Sequence, residues 1–549
     1  MKRFSVSSLI FMMMTAPVFA GDFDTAYQSI SADNIGRDVE ILASDEFEGR
    51  GPGGEGERLT INYIAEQFAA AGAEPAFGNS YFQPFGIASY ERSGSNRFEI
   101  SGPDGDLGLT FQDDYVMFAG QPNERIDIAG SSVIFAGFGV TAVEENWDDY
   151  TGIDASGATV ILFRGDPGTA TGDESLFNGM ALTYHGLVGT KTENAANHGA
   201  SSVILVHTDA SAGYPWATLS SGGVGGTQYF LSEDPGEHLE MVTHVNEAAA
   251  RRIFDAAGLD FDVMYEAAAQ RDFQAIETTL TATGSMHGTV MPATTNNVVG
   301  RITGSDAPDE CIIYTAHWDH MGINSNAPTD DTIFNGALDN ATGTAMLINL
   351  ARAFGSLDDN PRRSVYFFAT AAEERGFLGT EHYISDPACA LADTVAVLNM
   401  DAHFPYADNW ESMTIPGLGT SELEDVISMA ASRFGRIIQD DSNPQAGGFF
   451  RSDHWPFIKV GVPGIYAVGG PTEAQVEADP AILPRFEAYM TGGYHHAADE
   501  YDANAWLLGG IEEDTQIYFE AGHLLANDTR FPNFYFDAPY RRLRDAMMQ

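Results

Sequence analysis

The segment RRSVYFFATAAEERGFLGT, residues 362–380, runs an apolar strand directly into two adjacent glutamates, Glu373 and Glu374. Charges of the same sign at the end of a buried strand repel each other and resist the loss of their water. Such a pair needs a compensating partner of opposite charge. The segment therefore predicts a buried strand and, at its end, a charged site.

Segments of the same kind alternate with helical segments from about residue 280 onward. The strand-like runs include DECIIYTAH (309–317) and DTVAVLNMDAH (393–403), and the helical ones include TGTAMLINLARAF (342–354) and ELEDVISMAASRFG (422–435). This alternation is typical of a mostly parallel sheet covered by helices on both faces. We therefore predict an α/β fold with three layers, α/β/α.

The chain divides into zones of different texture, as its 549 residues lead one to expect. Residues 33–73 carry two amphipathic helices around a glycine-rich loop, which we interpret as a plain connection because no strand precedes it. Short apolar runs and glycines dominate residues 126–275 and predict a separate β-rich unit. The predicted domains are residues 21–125 and 276–530 for the catalytic unit, 126–275 for the insertion and 531–549 for a C-terminal tail.

The charge balance excludes some partners. The chain has 78 Asp and Glu against 27 Lys and Arg, a formal charge of −51, with no basic stripe. Nucleic acids and anionic membrane surfaces are therefore not expected partners. We interpret the acidic excess as a solvated surface.

The first 20 residues, MKRFSVSSLIFMMMTAPVFA, combine Lys2 and Arg3 with an apolar run and a small-residue cleavage site ending at Ala20. This is the layout of a signal peptide, so we expect a periplasmic or extracellular protein. No later run of 18 apolar residues predicts a membrane span. Of the two cysteines, Cys311 opens an apolar strand, and we interpret it as a buried thiol rather than half of a disulfide with Cys389.

Polar residues able to bind metal or transfer protons follow the predicted strands. They are His317 and Asp319, Asp339, Glu373 and Glu374, Asp401, and the pair His495 and His496. In parallel sheets, ligands gather beyond the carboxyl ends of the strands. Each residue alone is a weak signal, since Asp339 alone would serve as a helix cap, but together they indicate one site.

Two histidines and several carboxylates suit a pair of divalent ions such as zinc, roughly 3.5–4 Å apart. One glutamate of the adjacent pair would bind metal while the other transfers protons. The sequence has no Gly-x-Ser-x-Gly and no Cys-x-x-Cys, so it supports neither a serine nucleophile nor a zinc ribbon. Sites of this composition also accept manganese or cobalt.

Six motifs in order resemble the M28 family of di-zinc metallopeptidases: AHWDH, GALDNATG, AAEERGFLGT, LNMDAH, RSDHWPF and GGYHHAADEYD. The resemblance spans about residues 280–525 and implies the zinc-exopeptidase fold. The helical stretch at 33–73 resembles the N-terminal element of the same family. The zone at 126–275 resembles a protease-associated (PA) domain inserted into it.

The resemblance implies a role for each motif residue. Asp339 would bridge two zinc ions, with His317 and Asp401 completing one site, Glu374 and His495 the other, and Glu373 acting as general acid and base. Asp319 would orient His317 from behind. Tyr494 would donate to the oxyanion, and Arg451 would contact substrate. The peptide Asp339–Asn340 would be cis.

The sequence departs from the family pattern where His496 follows His495 in place of a small residue. Spacing favours His495 as the ligand, since Asp499 lies four residues further on as the motif expects. We expect His320, His403 and His454 to be core or rim histidines rather than ligands.

The family resemblance implies an exported exopeptidase that hydrolyses peptide substrates with a metal-activated water and a glutamate base. We expect attack at the N-terminus, because the catalytic rim offers only Arg451, Arg375 and the more distant Lys459 for a terminal carboxylate. Three alternatives stay open: a carboxypeptidase of the same family, an acyltransferase like glutaminyl cyclase, and a non-enzymatic binding protein. The sequence leaves the oligomeric state undetermined.

Overall fold

The protein is described by a computed structural model that covers residues 22–212, 215–222, 227–233, 236–324 and 330–549. The predicted signal peptide at residues 1–20 lies outside these ranges. Within them, no helix combines the length and the apolar character that crossing a membrane requires.

Twenty-one strands and seventeen α-helices make up the described regular structure. The strands are β1 Glu74–Pro75, β2 Phe82–Gly102, β3 Gly105–Asp106, β4 Tyr115–Ala119, β5 Arg125–Phe135, β6 Thr141–Ala142, β7 Trp147–Asp148, β8 Thr159–Phe163, β9 Ser202–His207, β10 Gln228–Leu231, β11 Met241–Asn246, β12 Ile276–Ile302, β13 Ala307–His317, β14 Gly322–Ile323, β15 Ile333–Phe334, β16 Arg363–Thr370, β17 Thr394–Asn399, β18 Ser412–Ile415, β19 Ile437–Asp440, β20 Gly464–Tyr466 and β21 Val468–Gly470. The helices are α1 Asp22–Ser29, α2 Ala32–Leu42, α3 Glu55–Ala70, α4 Pro167–Thr171, α5 Val188–Asn197, α6 Asp209–Ala212, α7 Trp216–Gly222, α8 Glu247–Ala256, α9 Phe261–Ala268, α10 Thr342–Gly355, α11 Leu378–Ser385, α12 Leu423–Ser432, α13 His454–Lys459, α14 Glu473–Ala478, α15 Ile482–Gly492, α16 Gly509–Asn527 and α17 Arg541–Met547.

The predicted parallel sheet is confirmed. Strands β20, β17, β13 and β16 lie side by side in that order and are mutually parallel. In the register of β13 and β16, His317 lies opposite Thr370, so both strands end at the same edge. Residues that follow these strands must therefore meet at one rim.

Alternating side chains of the central strands enter two different cores, which gives the predicted three layers. Ile312 and Tyr314 pack into a core with residues of α1, α2, α3, α10, α12 and α16. Their neighbours Cys311 and Ile313 face the opposite core, with Tyr383 of α11 and Phe457 of α13. The two helices predicted within residues 33–73 form as α2 and α3, on the α10 side of the sheet.

A long strand joins the catalytic sheet to the sheet of the middle region. Strand β12 has 27 residues; its C-terminal end pairs with β16, and its N-terminal part pairs with β5. Beyond β5, the strands β8, β9 and β11 continue in parallel, and β4 closes the edge in antiparallel orientation. The middle sheet thus includes β4, which precedes residue 126.

The interpretation of Cys311 as a buried thiol was wrong, because it forms a disulfide with Cys389. Helix α11 carries the chain from the rim back along the sheet. The loop after that helix therefore lies beside the start of β13, and the two Cα atoms are 6.6 Å apart. The bridge fastens the sheet at the end opposite the rim.

Replacing both cysteines by alanine should destabilise the protein, because the bridge closes a loop of 78 residues. We expect a loss of about 2–5 kcal/mol in the free energy of unfolding, through greater freedom of the unfolded chain. Calorimetric scans should show a lower Tm for the variant, and the reduced wild-type protein should resemble it. Equal Tm values for the oxidised wild type and the variant would contradict this expectation.

Candidate metal centre

The rim of the catalytic sheet collects the predicted site residues because three neighbouring parallel strands end there. His317 is the last residue of β13. Glu373 follows the end of β16 after a short turn, and Asp401 follows the end of β17 in the same way. Buried strands of apolar residues thus deliver three polar side chains to one edge.

Asp339 reaches the rim on an irregular turn in front of α10. Residues Ala337–Ala341 form a π-helical turn, and the peptide Asp339–Asn340 is cis, as the resemblance implied. The N-cap of α10 is Ala341, so helix capping does not account for Asp339. The Asp499 carboxylate accepts the Leu338 N–H at 2.9 Å and the Asp339 N–H at 3.1 Å, which fixes the turn.

Four of the predicted residues converge around a fifth, Asp339. His317 Nε2 lies 3.3 Å from Asp339 Oδ1 and 3.3 Å from Asp401 Oδ1. His495 Nε2 lies 3.2 Å from Asp339 Oδ2 and 3.1 Å from Glu374 Oε2. Asp339 therefore stands between two half-sites, each with one histidine nitrogen and one further carboxylate.

The geometry favours His495 over His496. His495 directs Nε2 towards the carboxylates, and this buried nitrogen has no hydrogen-bond partner among the described residues. His496 is exposed, and its Nδ1 lies 2.7 Å from the Tyr494 carbonyl oxygen. Of the two histidines, His495 is therefore the one placed to bind the same metal ion as Asp339.

Glu373 and Glu374 enter the site differently. Glu374 Oε2 contacts His495, whereas Glu373 Oε2 lies 3.9 Å from His317 Nε2, outside hydrogen-bond distance. The Glu373 backbone N–H donates to Asp319 Oδ1 at 3.0 Å. One glutamate thus belongs to a half-site and its neighbour stands beside it.

Burial and neighbouring charges give Glu373 an unusually high pKa. Loss of water raises the pKa of Glu373 well above its usual value; the charges of Asp401 and Glu374 raise it further, whereas His317 lowers it. Its carboxyl group is therefore a stronger base than that of an exposed glutamate.

The histidines compensate the other carboxylates. Burial opposes ionisation of Asp339 and Glu374, but His317 and His495 hold the pKa of Asp339 well below its usual value. His320 and His495 lower the pKa of Glu374 to about 2. Burial disfavours the charged form of His495, yet Asp339 and Glu374 raise its pKa to about 10. The site therefore attracts positive charge strongly.

Asp319 contacts His317 through its backbone. The Asp319 backbone carbonyl oxygen, not its carboxylate, lies 3.1 Å from His317 Nδ1. The chain turns back on itself between the two residues, which leaves the carboxylate free to accept from the Glu373 N–H. Asp319 thus supports His317 through its backbone and Glu373 through its side chain.

Tyr494 and Arg451 have different positions. The Tyr494 ring stacks on His495 with ring centroids 3.8 Å apart. Burial, together with the charges of the site carboxylates, raises the Tyr494 pKa, so its hydroxyl keeps its proton. Arg451 is exposed and donates from Nε to the Ala446 carbonyl oxygen at 3.1 Å. The structure shows no contact between Arg451 and the half-sites.

The structure departs from the expectation for His320, which joins a group of potential metal ligands, and several other residues that hold the site together were not among the predicted ones. His320 Nδ1 lies 2.7 Å from Glu374 Oε1, and the Ser452 hydroxyl donates to Asp401 Oδ2 at 2.6 Å. The Asn340 amide donates to the Met400 carbonyl oxygen at 3.0 Å, which ties the Asp339 turn to the Asp401 loop. All lie within or next to the motifs, and the motifs were the only signal for them.

The other two nearby histidines lie in the core. His403 Nδ1 is 2.6 Å from Asp514 Oδ2, and both side chains are fully buried. His454 is also buried, which lowers its pKa to about 4. Among the described residues, neither histidine joins a group of potential metal ligands.

Potential ligand atoms of the described residues form three overlapping groups at this rim, each within 4.8 Å. The groups are His317 with Asp339 and Asp401, His317 with Glu373 and Glu374, and His320 with Asp339 and Glu374. Imidazole nitrogens and carboxylate oxygens in this number suit zinc and related divalent metals. The residues present therefore fit a metal centre.

Comparison with known proteins agrees with this site. Residues 297–513 match the model of Peptidase family M28. The aminopeptidase NAALADL1 of Mus musculus is 29% identical over 176 residues, which cover 31% of this chain and 20% of the relative. The aminopeptidase YwaD of Bacillus subtilis (strain 168) is 26% identical over 191 residues, which cover 34% of this chain and 38% of the relative.

A solved structure shares the fold over nearly the whole chain. The aminopeptidase from Aneurinibacillus sp. strain AM-1 aligns with a TM-score of 0.53 and 18% identity, covering 93% of this chain and 97% of that one. At this level of identity the likeness establishes the fold alone.

Replacing His495 by alanine should reduce the metal content of the purified protein, because the change removes one of two ligand nitrogens. The matched control is His496→Ala, an exposed neighbour on the same loop, which should retain the wild-type content. Elemental analysis after dialysis against buffered zinc measures both. Equal losses in the two variants, or a loss in His496→Ala alone, would reverse the assignment.

Proposed function

We propose that this chain, whose residues 297–513 match the model of Peptidase family M28, is an exported zinc aminopeptidase that removes N-terminal residues from peptides. The observation that carries the proposal is the convergence of His317, Asp339, Glu374, Asp401 and His495 around a site that Glu373 adjoins. The names of the two aminopeptidase relatives support the reaction class.

The five converging residues would hold a pair of zinc ions. Asp339 would contribute one oxygen to each, with His317 and Asp401 on one side and His495 and Glu374 on the other. The clustered negative charge and the position of His495 Nε2 beside the Asp339 and Glu374 carboxylates support this division. Bound zinc would supply a Lewis acid that polarises a carbonyl group and promotes ionisation of water.

Glu373 is the proposed proton carrier. It adjoins both half-sites, its side chain is 10% exposed, and its raised pKa suits a base. It would take a proton from the attacking water and pass it to the leaving amine as the peptide bond breaks. The hydrogen bond from its backbone N–H to Asp319 fixes the Glu373 backbone at the rim.

Tyr494 is the proposed donor to the oxygen of the tetrahedral intermediate. Its ring is fixed by stacking on His495, and its hydroxyl remains protonated because the site carboxylates and burial raise its pKa. A donor placed before the reaction stabilises the developing negative charge without reorganising.

The charges at the rim favour an N-terminal amine over a C-terminal carboxylate. Each of the three basic residues considered from the sequence is engaged elsewhere: Arg451 with Ala446, Arg375 with the Met321 carbonyl oxygen and the Tyr229 ring, and Lys459 with Glu193. A carboxypeptidase needs a cation free for its substrate. The partly exposed carboxylates of Glu373 and Asp401 would instead attract a cationic amine.

The proposal of export is supported by the composition of residues 1–20 and by the disulfide Cys311–Cys389. Disulfides persist in the periplasm and outside the cell, where the environment is oxidising.

We also propose that residues 126–275 form a PA-like insertion that shapes access to the catalytic rim. The Arg375 guanidinium lies over the ring of Tyr229, a residue of this region, at 4.9 Å from the ring centroid. Glu193 of the same region forms an ion pair with Lys459. A cavity of about 850 Å³ lies where this region meets the catalytic loops, with Tyr184 and Phe449 among its lining residues. None of the proposed ligands comes from the insertion.

Changing the two glutamates one at a time should separate their roles. Glu373→Gln removes the base but no ligand, so we expect kcat to fall on the order of 10²-fold or more with zinc retained. Glu374→Gln should lose zinc as well as activity, because Glu374 contacts His495 within a half-site. Equal zinc contents in the two variants would contradict this assignment.

The direction of attack is tested with one peptide in three forms. Acetylating its N-terminus should abolish turnover, while amidating its C-terminus should change kcat/KM little, because only the amine is recognised. Mass spectrometry of the products measures both. The reverse pattern would indicate a carboxypeptidase, and cyclisation of an N-terminal glutamine without hydrolysis would indicate an acyltransferase.

A further inference from the structure

A fully buried arginine lies in the N-terminal segment, far from the motifs in sequence. Arg50 ends a 3-10 turn, Asp45–Arg50, between α2 and α3. Its side chain has no exposure to solvent, although a buried guanidinium costs free energy unless its donors are satisfied. Its hydrogen bonds therefore indicate what it contributes.

All the hydrogen bonds of the Arg50 guanidinium within the described structure go to backbone carbonyl oxygens. Nε donates to Trp318 at 2.8 Å, and Nη2 donates to Gly336 at 2.7 Å. Nη1 donates to Asn335 at 2.6 Å and to Leu42 at 2.9 Å. One side chain thus fastens three separate segments of the chain.

Two of these segments carry proposed metal ligands. Trp318 directly follows His317, and Gly336 directly precedes the turn that holds Asp339. The Arg50 carbonyl oxygen also accepts the N–H of His320, the residue that contacts Glu374. Arg50 therefore connects to both half-sites through the backbone.

The turn around Arg50 is shaped to fit against the same loops. Gly49 has φ +63°, and a Cβ atom there would lie 2.4 Å from the Phe334 carbonyl oxygen. Asp45, an exposed residue at the start of the turn, accepts a hydrogen bond at its Oδ1 from the Asn335 side-chain amide, at 2.9 Å. The segment is thus in close contact with Trp318 and with residues 334–336 at several points.

Arg50 also places a positive charge behind the acidic site. Burial lowers its pKa to about 10, while the charges of Asp499, Asp339, Asp319 and Glu374 oppose that effect. The guanidinium is therefore charged at neutral pH. It contacts none of these carboxylates, so it compensates their repulsion without competing for their oxygens.

We propose that Arg50 is a positioning residue of the metal centre, so that the N-terminal segment, outside residues 297–513, is required for full metal affinity. It would hold the loops of His317 and Asp339 at the spacing that ligation needs. The proposal rests on the proposed function only in assuming that this site binds a divalent metal. Loss of a residue that holds metal ligands in place without binding the metal itself weakens metal affinity about 10–100-fold.

The test compares Arg50→Lys with Arg363→Lys in the full-length chain. Arg363 is the matched control, because it is also fully buried and donates to the carbonyl oxygens of Leu525 and Arg530. It lies at the start of β16, at the end of the sheet opposite the rim. Lysine keeps each charge but loses the planar set of donors.

The measurements are the dissociation constants for Zn²⁺ and Co²⁺ and the visible absorption spectrum of the Co²⁺ form, taken well below the Tm of each variant. Both variants should have a lower Tm. Only Arg50→Lys should bind metal about 10-fold or more weakly and show an altered Co²⁺ spectrum. Wild-type affinity in Arg50→Lys, or equal weakening in both variants, would overturn the proposal.

A second pair of variants covers the case in which Arg50→Lys does not fold. Asp45→Ala removes an exposed contact to Asn335, and Glu46→Ala changes its exposed neighbour. Asp45→Ala should weaken Co²⁺ binding a few-fold relative to Glu46→Ala; equal binding would overturn the proposal. If the wild-type protein binds neither metal at this site, the proposed function fails instead.

Discussion

The structure depends on the repulsion among four carboxylates, buried or only partly exposed, at the edge of one parallel sheet. Asp339, Glu373, Glu374 and Asp401 meet there because their strands and turns end side by side. Apolar strands cannot solvate these charges, so compensation has to come from histidines, from hydrogen bonds and from bound cations. The support that surrounds the site, from Asp499 beneath the Asp339 turn to Ser452 beside Asp401, follows from this constraint.

Much of the fold and of the site could be predicted because the signals are local. Apolar runs define the strands, and polar residues directly after them fall at one rim whatever the rest of the chain does. The motif spacing also favoured His495, and the structure places its Nε2 between Asp339 and Glu374. Predicting these features requires only the direction of the strands and the types of the residues that follow them.

The features that could not be predicted depend on contacts between distant segments. Cys389 meets Cys311 only because α11 returns along the sheet, and no spacing rule contains that path. Arg50 binds backbone carbonyls, which carry no sequence signature. The Asp319 contact to His317 also uses a backbone oxygen, which the residue type at that position does not indicate. The antiparallel pair β2 and β12 joins the sheet of the catalytic region and the sheet of the middle region into one. The change in sequence composition between these regions had indicated two separate units.

Anomalous X-ray diffraction at the zinc edge, on crystals grown with zinc, would show whether these residues form a two-metal centre with Asp339 between the ions. We expect two anomalous peaks per chain, one beside His317 and Asp401 and one beside His495 and Glu374. A single peak, or none within ligand distance of the two histidine nitrogens, would contradict it.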